Sequence, residues 1–166
     1  MRELEKVAIK FQEVLESMVN QRLSGVCYLT GHCLAEIFSE LGYKSRKVTG
    51  THGILMKNKK RYLIYGSIYG KHENVGDYHT WCEVEVDDKV FIVDASTKYN
   101  KEILKKEMNI KLYDSVPSVI VTSNKKEFSY FFEEDATLEK LSEEFLKKLE
   151  DSFLQKLIDE TILKIN

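Results

Sequence analysis

Between His79 and Asp94 the chain reads as two strand-like runs separated by a polar break, and this pattern leaves few folds open. His79-Thr80-Trp81-Cys82-Glu83-Val84-Glu85-Val86 is rich in β-branched and aromatic residues, as is the return from Lys89 through Val90, Phe91, Ile92 and Val93 to Asp94. With Asp87-Asp88 as the turn, the two runs form an antiparallel hairpin. The residue opening the first strand then lies near the one closing the second, which brings His79 and Asp94 to the same end. Seven residues separate His79 from the turn and five separate the turn from Asp94. This offset of two predicts a bulge or a longer loop to absorb it.

Helical periodicity frames this hairpin on both sides. Leu4, Val7, Ala8, Phe11, Val14, Leu15 and Met18 recur at three- and four-residue steps. The polar face of that helix mixes Glu and Lys, which suits packing on a core and not a membrane surface. After the linker Asn20 to Gly25, a second helix is predicted from about Val26 to Leu41. Ser24 is its cap, Leu29, Cys33, Ile37 and Leu41 are its buried stripe, and Gly42 is its stop. Arg46 to Met56 and Arg61 to Tyr65 read as paired strands, and Gly66 to Asp77 as a surface loop that walls the site. Lys98 to Met108 reads as a helix and Val116 to Thr122 as a strand with Pro117 near its start. From Ala136 the pattern is helical, as one helix or two, with Leu138, Leu141, Phe145, Leu149, Phe153 and Leu157 in one stripe. Packing on the chain's own sheet is the expected use of the terminal helices, and a homodimer interface is the alternative.

Composition narrows the function classes. The 166 residues suit one domain, and the formal charge of −2 is spread along the chain without a basic block, which argues against nucleic acid as partner. No apolar run has the length to span a bilayer. Three cysteines and no cleavable apolar leader predict a reducing, cytoplasmic setting with free thiols.

Cys27 stands where a loop becomes a helix, and unpaired backbone N–H groups with the positive helix end favour negative charge on its sulfur. A cysteine nucleophile needs a base within hydrogen-bond reach and a third group to hold that base. His79 and Asp94 supply both, which predicts a Cys-His-Asp hydrolase or acyl transferase needing no cofactor. A lone cysteine at a helix start also serves as a small buried hydrophobe, and Cys33 and Cys82 read that way. Gln21, six residues before Cys27, is a candidate second oxyanion donor or a solvated linker residue. Trp81 shares the strand face of His79, where it shields the His-Asp pair or simply fills the core. His52 and His72 read as surface histidines. Cys27, His32, Cys33, His79 and Cys82 lack a paired Cys-x-x-Cys knuckle, so no metal site is expected.

These residues carry a resemblance. Gly25-Val26-Cys27, the helix, and Leu41-Gly42-Tyr43-Lys44-Ser45-Arg46-Lys47-Val48-Thr49-Gly50 resemble the nucleophile block of the transglutaminase-like superfamily, in which G-x-C opens a helix closing in L-G-(I/V/Y)-x-x-R-x-V-x-G. His79-Thr80-Trp81-Cys82-Glu83-Val84 and Val93-Asp94-Ala95-Ser96 are similar to its H-(A/T)-W-x-E-V and V-D-(P/A)-(S/T) blocks. The resemblance covers roughly residues 25–96 of a single domain spanning 1–166, with a helical extension from about 136. It implies a papain-like α+β core in which a nucleophile-bearing helix packs on an antiparallel sheet. It also implies Cys27 as nucleophile, His79 as base and later acid, and Asp94 as the group orienting the imidazole. Arg46, within that block, is expected to be a structural ion-pair partner. The expected activity is that of a peptidase or amidase working through a thioester on a peptide or protein, including a glutamine or amide side chain. A transglutaminase or other acyl transferase using an amine is the alternative, and a non-catalytic binding module the second.

Overall fold

The computed structural model describes residues 1–19, 23, 25–57, 61–66 and 73–165. The fold is α+β, and the described residues form five α-helices around a mixed sheet of seven strands. Helix α1 spans Arg2–Met18, and its periodic face is realised except at its end: Leu4, Val7, Ala8, Phe11, Val14 and Leu15 are buried, while Met18 is half-buried against the same core. Each such large side chain taken from water contributes about 1.5–3 kcal/mol. Helix α2 runs from Cys27 to Glu40 and closes where Gly42 was expected to stop it. Gly42 N–H donates to Ser39 O and Tyr43 N–H to Phe38 O, which is a Schellman ending.

The strands are β1 (Lys44–Leu55), β2 (Tyr62–Tyr65), β3 (Glu73–Gly76), β4 (His79–Val86), β5 (Lys89–Asp94), β6 (Ile120–Thr122) and β7 (Tyr130–Glu134). The sheet order is β3-β2-β1-β4-β5-β6, with β7 also paired to β1. β1 is long enough to change partners along its length. It pairs with β4 over Lys44 to Gly50, with β7 over Gly50 to Ile54, and with β2 over His52 to Leu55. The sheet is not wholly antiparallel as expected: β3, inside the stretch read as a loop, pairs parallel to β2.

Three further expectations are corrected. The β4–β5 hairpin needs no bulge, because its register runs unshifted from Val86↔Lys89 to Cys82↔Val93. Asp87 and Asp88 take φ of 50° and 60°, the left-handed pair that a tight two-residue hairpin turn demands. The strand expected at Val116 begins only at Ile120, and Pro117 precedes it outside the ladder. The C-terminal pattern takes the two-helix form of the two expected, as helix α4 (Glu139–Leu146) and helix α5 (Asp151–Ile165) after a 3₁₀ turn over Ala136–Leu138, but its stripe and packing differ. α5 packs mainly on α1 and α2, and Phe145 of the expected buried stripe is exposed.

Helices α1, α2 and α5 cover one sheet face, where Cys33 and Cys82 lie in the main core with Val84 and Val93. Val48, Trp81, Ile92, Ile120, Tyr130 and Phe132 form a second cluster. Helix α3 (Thr97–Glu107) contributes Leu104 to a third with Ile54, Met56 and Leu63. No described helix is long and apolar enough to cross a membrane.

Candidate active site

Gly25 turns the chain into α2 with φ of 61°, the left-handed region that other residues enter only with strain. Cys27 is then the first helical residue, 8 % exposed. The N-cap position belongs to Val26, whose side chain makes no cap bond, and no acidic residue stands in the first turn. Among the described residues no side-chain cap satisfies the opening N–H groups. The expected cap Ser24, the candidate oxyanion donor Gln21 and His72 lie outside the described residues.

One turn on, Gly31 sets the helix against the sheet. A Cβ there would stand 2.7 Å from Thr80 Cγ2 and 3.1 Å from Trp81 N, so only glycine lets α2 lie this close to β4. This contact brings the start of α2 to the start of β4, where His79 is fully buried. His79 Nε2 donates to Asp94 Oδ2 at 2.8 Å. His79 lies three residues beyond the last hairpin pair on β4, and Asp94 one beyond it on β5. The two side chains thus meet diagonally across the ladder, a separation that imidazole and carboxylate together span.

Asp94 is held as firmly as it holds. Its Oδ1 accepts from Ser96 N at 2.8 Å and Ser96 Oγ at 2.7 Å, and Oδ2 also accepts from Thr97 Oγ1 at 3.3 Å. Gln12 of α1 ties down the same corner by donating to Ala95 O at 2.7 Å. Burial disfavours the carboxylate, but His79 and these hydrogen bonds outweigh it and keep Asp94 well below the usual carboxylate range. Burial likewise disfavours charge on His79; the Asp94 carboxylate and the Cys27 side chain outweigh it and raise its pKa. With Nε2 committed to Asp94, Nδ1 is the nitrogen left for Cys27. It makes no hydrogen bond among the described residues, while the Cys27 side chain lies near enough to help raise the pKa of the ring. The structure thus brings Cys27, His79 and Asp94 together.

Three tyrosines stand near enough to Cys27 to feel its charge. Burial and then the nearby Cys27 raise the pKa of Tyr28, Tyr65 and Tyr78. The exposed ring of Phe145 extends this group, 5.4 Å from Tyr28 and 6.2 Å from Tyr78. Trp81 shares the face of His79, with ring centroids 6.4 Å apart, and is buried in the second cluster, so it shields the pair as part of the core.

His52 is not a surface residue: it is fully buried and its ring stacks on that of His79 at 4.4 Å. Sequence reasoning missed it because β1 reads as an ordinary strand and the histidine's partners come from β4 and β7. The run Tyr130-Phe131-Phe132 was the available signal for β7. His52, His79 and Asp94 place ligand-type atoms within 4.8 Å of one another. Both Asp94 oxygens and His79 Nε2 are already committed, and all three side chains are buried. Burial pushes the Cys33 thiol up to about 12 and raises Cys82 as well, so neither is a nucleophile.

No protein-family model and no curated protein matches the chain. A solved structure described as "The crystal structure of genomics APC5867" is similar in fold, with a TM-score of 0.58 and 9 % identity over 99 % of this chain and 79 % of that one. At that identity the likeness concerns the fold alone.

Proposed function

We propose that the protein is a cysteine-dependent hydrolase of transglutaminase-like type, a peptidase or amidase whose triad is Cys27, His79 and Asp94. The observation carrying this reading is the His79 ring, with Nε2 on Asp94 at 2.8 Å and the Cys27 side chain as the other group that raises its pKa. His79 accepts the thiol proton, and the Cys27 sulfur attacks the carbonyl carbon of an amide. Negative charge then develops on the carbonyl oxygen, beside the backbone N–H groups that open α2. As the C–N bond breaks, His79 returns the proton to the leaving amine, and Asp94 holds the ring and stabilises its charge meanwhile. The thioester left on Cys27 is resolved by water, which His79 deprotonates, releasing the acid and the free thiol.

Acyl transfer to an amine is the second reading. It is favoured by the nearby tyrosines and the low exposure of the sulfur, which restrict the access of water to a thioester. A peptide or protein amide is the proposed substrate class. A cytoplasmic setting fits three free, buried cysteines.

Intact-protein mass spectrometry after incubation with a glutamine-containing peptide tests the reading. An acyl adduct on Cys27 that is absent in His79→Ala supports it, and no adduct under any condition overturns it. Adding a labelled amine separates the two readings: released acid indicates hydrolysis, labelled product indicates transfer.

A further inference from the structure

We propose that His52 is a positioning residue for the triad, a neutral ring that fixes the plane of His79 so that it addresses Asp94 and Cys27 together. This rests on the triad reading above. Three contacts fix His52 itself. Its Nδ1–H donates to Phe131 O at 2.8 Å, its ring lies 4.1 Å from that of Phe132 at 21°, and it lies 4.4 Å from that of His79 at 26°. The carbonyl acceptor requires the proton on Nδ1, which leaves Nε2 as a bare lone pair. That Nε2 is buried and has no hydrogen-bond partner among the described residues.

The arrangement excludes a proton-transfer role for His52. A second proton on Nε2 would meet no acceptor, and burial together with the neighbouring His79 pushes its pKa down to about 3. It acts on His79 only through ring contact, presenting a neutral aromatic face to an imidazole whose positive charge, once it takes a proton, Asp94 stabilises. A phenyl ring would fill the same space without an orphaned nitrogen. What the imidazole adds is the anchor to Phe131, which stops the plate from turning. Without the plate, the approach of Nδ1 to Cys27 is the contact with least to restrain it.

The test is the rate of Cys27 alkylation by iodoacetamide from about pH 4 to about pH 9, whose shape reports the proton on His79. Cys27→Ser supplies the blank. His52→Asn keeps a donor for Phe131 O but removes the ring; His52→Phe keeps a ring but removes the donor. In the expected result, His52→Asn slows alkylation at least about tenfold at low pH and moves the profile toward that of His79→Ala, and His52→Phe restores most of it. A His52→Asn profile coincident with wild type, alongside a His79→Ala profile that differs, overturns the positioning role alone. Equal failure of His52→Phe and His52→Asn also overturns it. A wild-type profile indifferent to His79→Ala overturns the triad reading and this proposal with it. Should the variants not fold, ¹⁵N-resolved imidazole spectra of the wild type at neutral pH decide. A neutral His52 protonated on Nδ1 and in contact with the His79 ring is expected; a charged or Nε2-protonated His52 overturns the proposal.

Discussion

Oδ2 of Asp94 accepts from Nε2 of His79 at 2.8 Å, and solvent reaches neither side chain. Replacing Asp94 by Asn keeps the shape but removes the charge that stabilises the imidazolium, and it turns an amide donor toward the Ser96 and Thr97 donors or toward His79. Asp94→Asn is expected to lower turnover on an amide substrate by about 10²–10⁴-fold. It also breaks a buried, saturated hydrogen-bond set, with a stability loss of about 3 kcal/mol. Initial rates and a denaturant midpoint check the two effects separately.

The same cluster sets the dependence of stability on pH. The pKa of His79 is raised on folding, so its contribution is complete below its ordinary 6.5 and is lost as pH rises toward the raised value. The pKa of Asp94 is depressed, so its contribution is present above its ordinary 3.8 and is lost as pH falls below that. His52 is held neutral down to about 3 in the fold but gains a proton near 6.5 when unfolded, so stability also falls as pH drops through that window. The two histidines therefore oppose one another around pH 6.5, and the stability maximum is expected there. His52→Phe should flatten the acid limb by an amount on the order of a few kcal/mol. Urea melts across the range, wild type against variant, measure this; identical acid limbs would contradict it.

Gly31→Ala sets two effects against each other. Alanine in a helix interior gains about 1 kcal/mol over glycine. Its Cβ, however, would stand 2.7 Å from Thr80 Cγ2, which can rotate, and 3.1 and 3.2 Å from Trp81 N and Thr80 C, which cannot. Overpacking of this kind costs about 1–3 kcal/mol, so a small net destabilisation is expected. The larger effect falls on function. Lifting α2 from β4 moves Cys27 away from His79, and turnover should fall by about 10²-fold with the thermal midpoint little changed.

How much of this was legible depended on whether a feature is local. The face of α1, the stop at Gly42 and the hairpin all follow from side-chain period and turn chemistry, and the chain realises them. The pairing of His79 with Asp94 was legible for the same reason, since both belong to one hairpin. His52 was not, because its burial comes from β7, whose Phe131 and Phe132 lie about eighty residues further on and whose aromatic run passed unread. β3 was hidden by its glycine and polar residues; its pairing with β2 is a tertiary matter. The break between α4 and α5 left the apolar stripe uninterrupted, so period alone could not assign Phe145 to the surface beside Tyr28.

Arg46 was expected to be an ion-pair partner, and its geometry makes a prediction that separates stability from chemistry. Glu83 lies opposite it on β4 and is 5 % exposed. Arg46 grips its Oε2 through Nη2 at 2.6 Å and Nε at 3.0 Å, and reaches Glu134 of β7 at 2.8 and 2.9 Å. Lys125 stands 3.7 Å from Glu83 Oε1, beyond hydrogen-bond reach. Arg46 is itself about half exposed, so solvent screens part of the attraction, and its main role is to satisfy a carboxylate that the sheet has buried. Arg46→Met should therefore destabilise by about 1–3 kcal/mol through the stranded Glu83. Adding Glu83→Gln should recover part of that loss, because a neutral amide is easier to bury than an unpaired charge. The denaturant midpoints of the two single variants and the double variant give the coupling, expected at about 0.5–3 kcal/mol. Throughout, the pH profile of Cys27 alkylation should match wild type; a profile that moves with Arg46→Met would mean that this ion pair also aligns β4 at His79.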